Sequence, residues 1–276
     1  MGLRISTNVA AINTQRNMTN SQRLMQNSSA QLASGFRINK AADDAAGLAI
    51  SETMRGQIRS AIQAKRNAND AISLVQTAEG GLGEISNILI RSRELAIQAA
   101  SDTIGDNERS LIQTEISQLK DEVQRIAKST RWNSTSLLDG STPTFDFQIG
   151  IFSTESDQIA FDATKNVGTL DALGLTDMDF SKKDSARSSI SAIETAQQNV
   201  NAMRANLGAL QNRMTSTVDT LAITEENLAA ANSRIRDTDV ASSTSDMARN
   251  NVLLQAGTAT LAQANQSTQL ALKLIG

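Results

Sequence analysis

Ile193, Val200, Leu207, Met214, Leu221, Leu228 and Ile235 recur every seven residues, and Ala196, Met203, Leu210, Thr217, Thr224 and Ala231 follow the first six at a spacing of three. An apolar seam sustained over six heptads predicts a long α-helix that buries these positions against other helices. The stretch from Ile193 to Ile235 would be about 65 Å long at the helical rise. Gly208 is the only helix breaker between Leu175 and Ala256, and Ser181 with Asp184 has the spacing of a capping box at the start. After a phase shift the stripe resumes at Val240, Met247, Leu254, Leu261 and Ile275, with Thr268 in one slot. Such a shift is expected at a stutter or at a break between two helices.

The N-terminal half shows related patterns. Ile5, Val9 and Ile12 begin a stripe that Met18, Met25 and Leu32 continue in a slightly drifted phase. A second helix is predicted from about Ala45 to Ala100, with Val75, Leu82 and Leu89 at heptad spacing and Gly80-Gly81 as a flexible or kinked point. A third, from about Asn107 to Ser129, carries Ile112, Ile116, Leu119, Val123 and Ile126. No single helix can bury its own stripe. The chain is therefore expected to be mainly α, its N- and C-terminal halves forming a long antiparallel helical bundle or coiled coil. Residues 141–180 differ: Pro143 and most of the Phe lie here, and Phe145, Phe147, Ile149 and Ile151 alternate before a polar turn and a second run with Ile159 and Phe161. Period-two alternation on both sides of a polar turn predicts a small β-hairpin. The expected division is terminal helices at 1–42 and 240–276, a helical rod at 43–140 and 181–239, and the hairpin and turn region at 141–180.

Composition narrows the function. The chain has no His, Cys or Tyr, a single Pro and a single Trp. Ser-His and Cys-His nucleophile pairs, thiolates and ordinary zinc or haem ligation are thereby excluded, so neither an enzyme nor a metal or cofactor site is expected. Aromatics make up only 3% of the chain, and Ala, Leu, Ile and Met supply the apolar surface, as in helices packed on helices. A net charge of −3 gives no general attraction to nucleic acid. No apolar run reaches the roughly 20 residues of a membrane span, and Met1-Gly2-Leu3-Arg4-Ile5-Ser6 lacks the apolar stretch of a secretory signal. Asp43-Asp44 reads as a loop or capping pair rather than catalytic carboxylates, and Gly80-Gly81-Leu82-Gly83 lacks the strand and Lys-Ser/Thr of a phosphate cradle.

The ends have an unusual charge pattern. Residues 1–42 hold five basic residues and no acid, and residues 250–276 hold a single charge, Lys273. A solvated helix normally carries charge on its outer face. These segments are either weakly ordered tails or helices contacted on all sides once the protein polymerises. On the second reading Ile5, Val9, Ile12, Met247, Leu254 and Leu261 pack the polymer core, each fully buried Leu or Ile contributing roughly 1.5–3 kcal/mol. The sequence reads as that of a structural self-assembly protein.

The same ends carry a family resemblance. Leu32-Ala-Ser-Gly-Phe-Arg-Ile-Asn-Lys-Ala-Ala-Asp-Asp-Ala-Ala-Gly-Leu-Ala-Ile-Ser51 resembles the N-terminal signature of bacterial flagellin. Arg234-Ile-Arg-Asp-Thr-Asp-Val240 and Gln255-Ala-Gly-Thr-Ala-Thr-Leu-Ala-Gln-Ala-Asn-Gln266 resemble its C-terminal signature, and Trp132-Asn133-Ser-Thr-Ser-Leu-Leu-Asp-Gly140 its entry to a β-hairpin. The resemblance implies export through the flagellar type III channel with an export chaperone, assembly under a tip cap, hook-associated junction partners, and polymerisation into a filament turned for swimming. With only about 40 residues in the middle, the chain is similar to a short flagellin without large outer domains. Where the family often has a Pro, this chain has Ser267-Thr268, so the last helix is expected to run unbroken to Leu274. Arg91-Ser92-Arg93-Glu94-Leu95-Ala96-Ile97-Gln98 resembles the segment bound by the flagellin-sensing Toll-like receptor, which implies Arg91, Leu95 and Glu115 as contacts. Arg91 and Leu95 are four apart and share a helix face; an ordinary solvated bundle face is the alternative. The rival functions are a hook-filament junction protein and an intracellular coiled-coil scaffold.

Overall fold

The computed structural model describes residues 7–142 and 144–273, with side chains up to residue 266. Ile5, Pro143, Leu274 and Ile275 lie outside the described residues. Five helices, α1 (Val9–Ser34), α2 (Ala45–Ala99), α3 (Asp106–Ser129), α4 (Lys183–Arg236) and α5 (Val240–Lys273), account for most of these residues. Two short antiparallel strand pairs, β1 (Arg131–Trp132) with β2 (Thr135–Ser136) and β3 (Thr144–Gln148) with β4 (Gln158–Asp162), complete the fold. The architecture is mainly α, as the heptad pattern predicts.

Local chemistry sets the helix limits. The Asn8 side chain caps α1 by accepting the Ala11 N–H at 3.0 Å, and Gly35 ends the helix with φ 74°. Asp44 accepts the Gly47 N–H at 2.8 Å at the start of α2, while Asp43 accepts the Asn39 and Lys40 amides. The acidic pair therefore orders the turn into α2. At the start of α4 the Ser181 hydroxyl donates to Asp179 at 3.0 Å rather than forming a capping box with Asp184. The helix begins at Lys183, and the heptad seam breaks at residues 237–239, between α4 and α5.

α2 runs without interruption through Gly80 and Gly81. The expected flexible point is a close approach: a Cβ on Gly81 would lie 2.6 Å from Thr130 Oγ1 and 2.8 Å from Leu138 Cδ1. The missing side chain lets the segment after α3 lie against the helix.

The chain forms two compact units, one of Arg59–Glu225 and one of the residues up to Ile58 and from Glu226 onward. These limits fall inside α2 and α4, whose first and last turns respectively bond the 35–44 loop and each other. In the Arg59–Glu225 unit, α2, α3, α4 and the strand pairs share one apolar core that includes Leu74, Leu82, Ile116, Phe161, Phe180 and Val200, each almost fully buried. Arg109 is 7% exposed and closes the end of α2: Nε donates to Ala99 O and Nη2 to Ser101 O, both at 2.9 Å. A cation at this end also complements the helix dipole.

The predicted hairpin is β3–β4, with Phe145 opposite Phe161 and Phe147 opposite Ile159. Ile149 and Ile151 lie beyond the end of β3. The amides of Ile149 and Gly150 both reach Asp157 O at 2.9 Å, which closes the loop, and Ile151 packs on Ala61, Ala64 and Leu221. The non-helical region begins earlier than expected, at the β1–β2 turn, where Asn133 and Ser134 have positive φ (43° and 69°). Positive φ at both central residues is the geometry of a two-residue type I′ hairpin.

Candidate assembly surfaces

α1 and α5 pack antiparallel. Asn8 Nδ2 donates to Ala264 O at 2.9 Å, Met18 Cγ lies 3.7 Å from the place a Cβ on Gly257 would take, and Phe36 bridges Asp237 in antiparallel register. The face that α1 turns inward is Ala11, Thr14, Met18, Ser21, Met25, Ser28 and Leu32, all less exposed than their neighbours. Ser243, Met247, Asn250, Leu254, Gly257, Leu261 and Ala264 form the matching face of α5. Each set follows the alternating three- and four-residue steps of a coiled-coil seam.

The predicted N-terminal stripe thus divides between two faces. Met18, Met25 and Leu32 are half-buried toward α5, whereas Val9 and Ile12 are 55% and 56% exposed. One residue advances about 100° around a helix, and Ile12 stands one residue and Val9 two residues from Ala11, which turns both away from the Ala11–Met18 line. Met247, Leu254 and Leu261 are half-buried on the α1 side. The outer faces keep large apolar side chains in the open: Leu24 beside Val9 and Ile12 on α1, and Val240, Val252 and Leu253 on α5, the most exposed being Val252 at 63%. Among the described residues Arg16 and Arg23 line α1 without an acidic partner, donating to Asn13 and Asn20 at 3.2 and 3.1 Å.

At the base of this pair, sequence patterns alone give no hint of a polar cluster. Arg236, in the last turn of α4 and with a side chain 15% exposed, places Nη1 2.5 Å from Glu52 Oε1 and its guanidinium 4.7 Å from the centre of the Phe36 ring. The nearest signal in the sequence is a basic residue in the last turn of a helix, a common feature with many meanings.

Of the heptad seam on α4, Ile193, Val200, Leu207, Met214 and Leu221 are buried, from 0% to 7% exposed, and Leu228 and Ile235 are half-buried. The residues grouped as receptor contacts do not share an open surface. Arg91 is exposed and pairs with Glu115 at 2.9 Å and Glu94 at 3.0 Å. Those hydrogen bonds, Glu115's foremost, hold its guanidinium above the ordinary pKa. Leu95 is only 2% exposed and belongs to the apolar core. Residues four apart on a helix differ by about 40° in direction, and here that angle separates solvent from core. Among the described residues no group of three or more His, Cys, Asp or Glu could hold a metal ion, and no helix is long and apolar enough to cross a membrane.

Two family profiles match the chain: "Bacterial flagellin N-terminal helical region" over residues 5–142 and "Bacterial flagellin C-terminal helical region" over residues 190–275. The chain is 44% identical over 271 residues to a protein named flagellin from Halalkalibacterium halodurans, covering 98% of this chain and 99% of that one. It is 43% identical over 288 residues to the flagellar filament core protein flaB2 of Brachyspira hyodysenteriae, with coverage of 98% and 99%. The crystal structure of Bacillus cereus flagellin superposes with a TM-score of 0.51 at 32% identity, covering 60% of this chain and 94% of that one.

Proposed function

The chain belongs to the bacterial flagellin family, and from that premise we propose that α1 and α5 are the segments through which successive copies pack in the filament. It is a structural subunit of the flagellar filament that polymerises with itself. The relatives matched over nearly their whole length are named as flagellin and filament core protein, which favours this role over a hook-filament junction protein or an intracellular scaffold.

One observation carries the proposal: the terminal helices satisfy each other on one face and leave Val9, Ile12, Val240 and Val252 open on the other. In a polymer, those faces meet their equivalents on neighbouring copies. Residues 1–42 and 240–276 then supply the inner core, and the remaining helices with the β3–β4 hairpin lie outside it. The subunit reaches its assembly point by secretion through the flagellar type III channel, served by an export chaperone and met by the cap and junction proteins. We do not extend the proposal to a Toll-like receptor docking through Arg91, Leu95 and Glu115, since Leu95 lies in the core.

Electron microscopy of the purified protein tests the role directly. Long tubes of uniform width are expected under polymerising conditions, and persistent monomers would overturn it.

A further inference from the structure

The face that α1 turns to α5 is nearly periodic. Ala11, Met18, Met25 and Leu32 repeat at seven-residue spacing, interleaved with Thr14, Ser21 and Ser28. Sliding α1 by one heptad, about 10.5 Å, would put Met25 or Ala11 where Met18 lies against Gly257. Ser28 or Thr14 would replace Ser21, with little change in size or polarity. Small repeating side chains specify helix register weakly. Something else holds Met18 at Gly257.

The feature with no heptad equivalent lies at the base of the pair. Arg37 N donates to Arg236 O and Arg37 Nη2 to Ile235 O, both at 2.7 Å, and Thr238 N donates to Gly35 O at 3.0 Å. The Arg236 guanidinium joins Glu52 to the Phe36 ring. One heptad away from Phe36 stand Ser29 and Asp43, and neither offers a ring to a guanidinium. At the opposite end, Asn8 Nδ2 donates across the helices to Ala264 O.

Resting on the flagellin reading of the chain, we propose that Arg236, with Arg37 and Phe36, pins the register of α1 against α5. It is a positioning residue: by fixing one alignment, it decides which open apolar residues stand together on the surface that copies share. Within the molecule the rival for this task is Asn250, which is 8% exposed in the seam, since a buried polar residue can also fix the register of paired helices.

Disulfide closure tests the pin. The chain has no cysteine, so introduced thiols are the only ones present. Met18→Cys with Gly257→Cys places the two Cβ atoms 3.8 Å apart, a separation that a disulfide spans without strain. Gly257→Cys combined with Met25→Cys or with Ala11→Cys reports a one-heptad shift in either direction. Dilute full-length chain is oxidised, and intrachain bridges are read by non-reducing gel mobility and mass. In the parent background only the 18–257 pair should close. With Arg236→Leu, or separately with Phe36→Ser plus Arg37→Met, closure at 18–257 should fall and the shifted pairs should gain what it loses. Arg236→Lys, which keeps the charge beside Glu52, should restore part of the native closure, and Asn250→Ala should leave it intact. Three results would overturn the pin: exclusive 18–257 closure in both pin variants, a shift that follows Asn250→Ala instead, or no closure of the 18–257 pair in the parent. Filament formation by the cysteine-free chain is scored separately, so loss of the pin and loss of the flagellin role remain distinguishable.

Discussion

Gly81 lies directly beneath Thr130: a Cβ at position 81 would stand 2.6 Å from the Thr130 hydroxyl oxygen, inside van der Waals contact. The neighbouring Gly80 meets nothing within 4 Å. Two adjacent glycines in one helix therefore have opposite reasons to be there, and substitution separates them.

Gly80→Ala should stabilise the protein by about 1 kcal/mol through helix propensity. Gly81→Ala should destabilise it by about 1–3 kcal/mol, because the methyl must push Thr130 and Leu138 away. Thermal unfolding followed by circular dichroism reads both. A gain at both positions would mean that the segment after α3 yields freely.

The two faces of the terminal pair should also separate by mutation. Leu254→Asp and Leu261→Asp put a carboxylate into the α1–α5 seam and should abolish filaments while the Arg59–Glu225 unit keeps its helicity. Val9→Ser with Ile12→Ser changes only the open face and should weaken polymerisation while Met18→Cys and Gly257→Cys still close their bridge. Filaments that form normally from the Val9–Ile12 variant would remove that face from the subunit contact.

Trypsin gives a readout without mutation. Arg16, Arg23 and Arg37 are exposed in the single chain. Cleavage there should be rapid in monomers and slow in filaments, where neighbouring copies cover α1. Equal rates in the two states would place α1 outside the polymer core.

Acid should loosen the Arg59–Glu225 unit at defined points. A hydrogen bond from Lys183 holds the Asp102 carboxyl below its ordinary pKa, and the Ser181 amide does the same for Asp179. A depressed folded-state pKa means that the stabilisation is present above the unfolded value, near 3.9 for Asp, and is lost as pH falls through the lower folded value. Unfolding midpoints should drop as pH falls below about 4. Asp179→Asn should flatten part of that drop at any salt concentration, and Asp102→Asn mainly at low salt, because the Lys183 pair is solvent-screened. An unchanged acid slope in both variants would assign the loss to other carboxylates.

The heptad spacing from Ile193 to Leu221 is legible because every seventh residue is bulky, apolar and buried on one side. The hairpin is legible in the same way from Phe145, Phe147, Ile159 and Phe161. In α1 the inward residues are Ala, Thr, Ser and Met, so hydrophobicity alone follows Val9 and Ile12 onto the face that is open in the single chain. Gly80-Gly81 misleads for a related reason. The requirement for no side chain comes from Thr130 and Leu138, some fifty residues on in the chain, and no local pattern encodes it. Arg236 is hidden likewise: its partner Glu52 lies 184 residues earlier in the chain, and Phe36 earlier still. Leu95 shows the limit of carrying a surface residue by motif, since the motif fixes its identity and the packing decides its exposure.

α1 and α5 each turn one face to the other and leave an apolar face open, the face proposed above to meet neighbouring copies. A subunit in the body of such a polymer is covered on more sides than one at its end, and binding of this kind stabilises by mass action. On the proposed packing, a copy at the end gives up fewer contacts on leaving than one in the body, so under depolymerising conditions the filament should shorten from its ends.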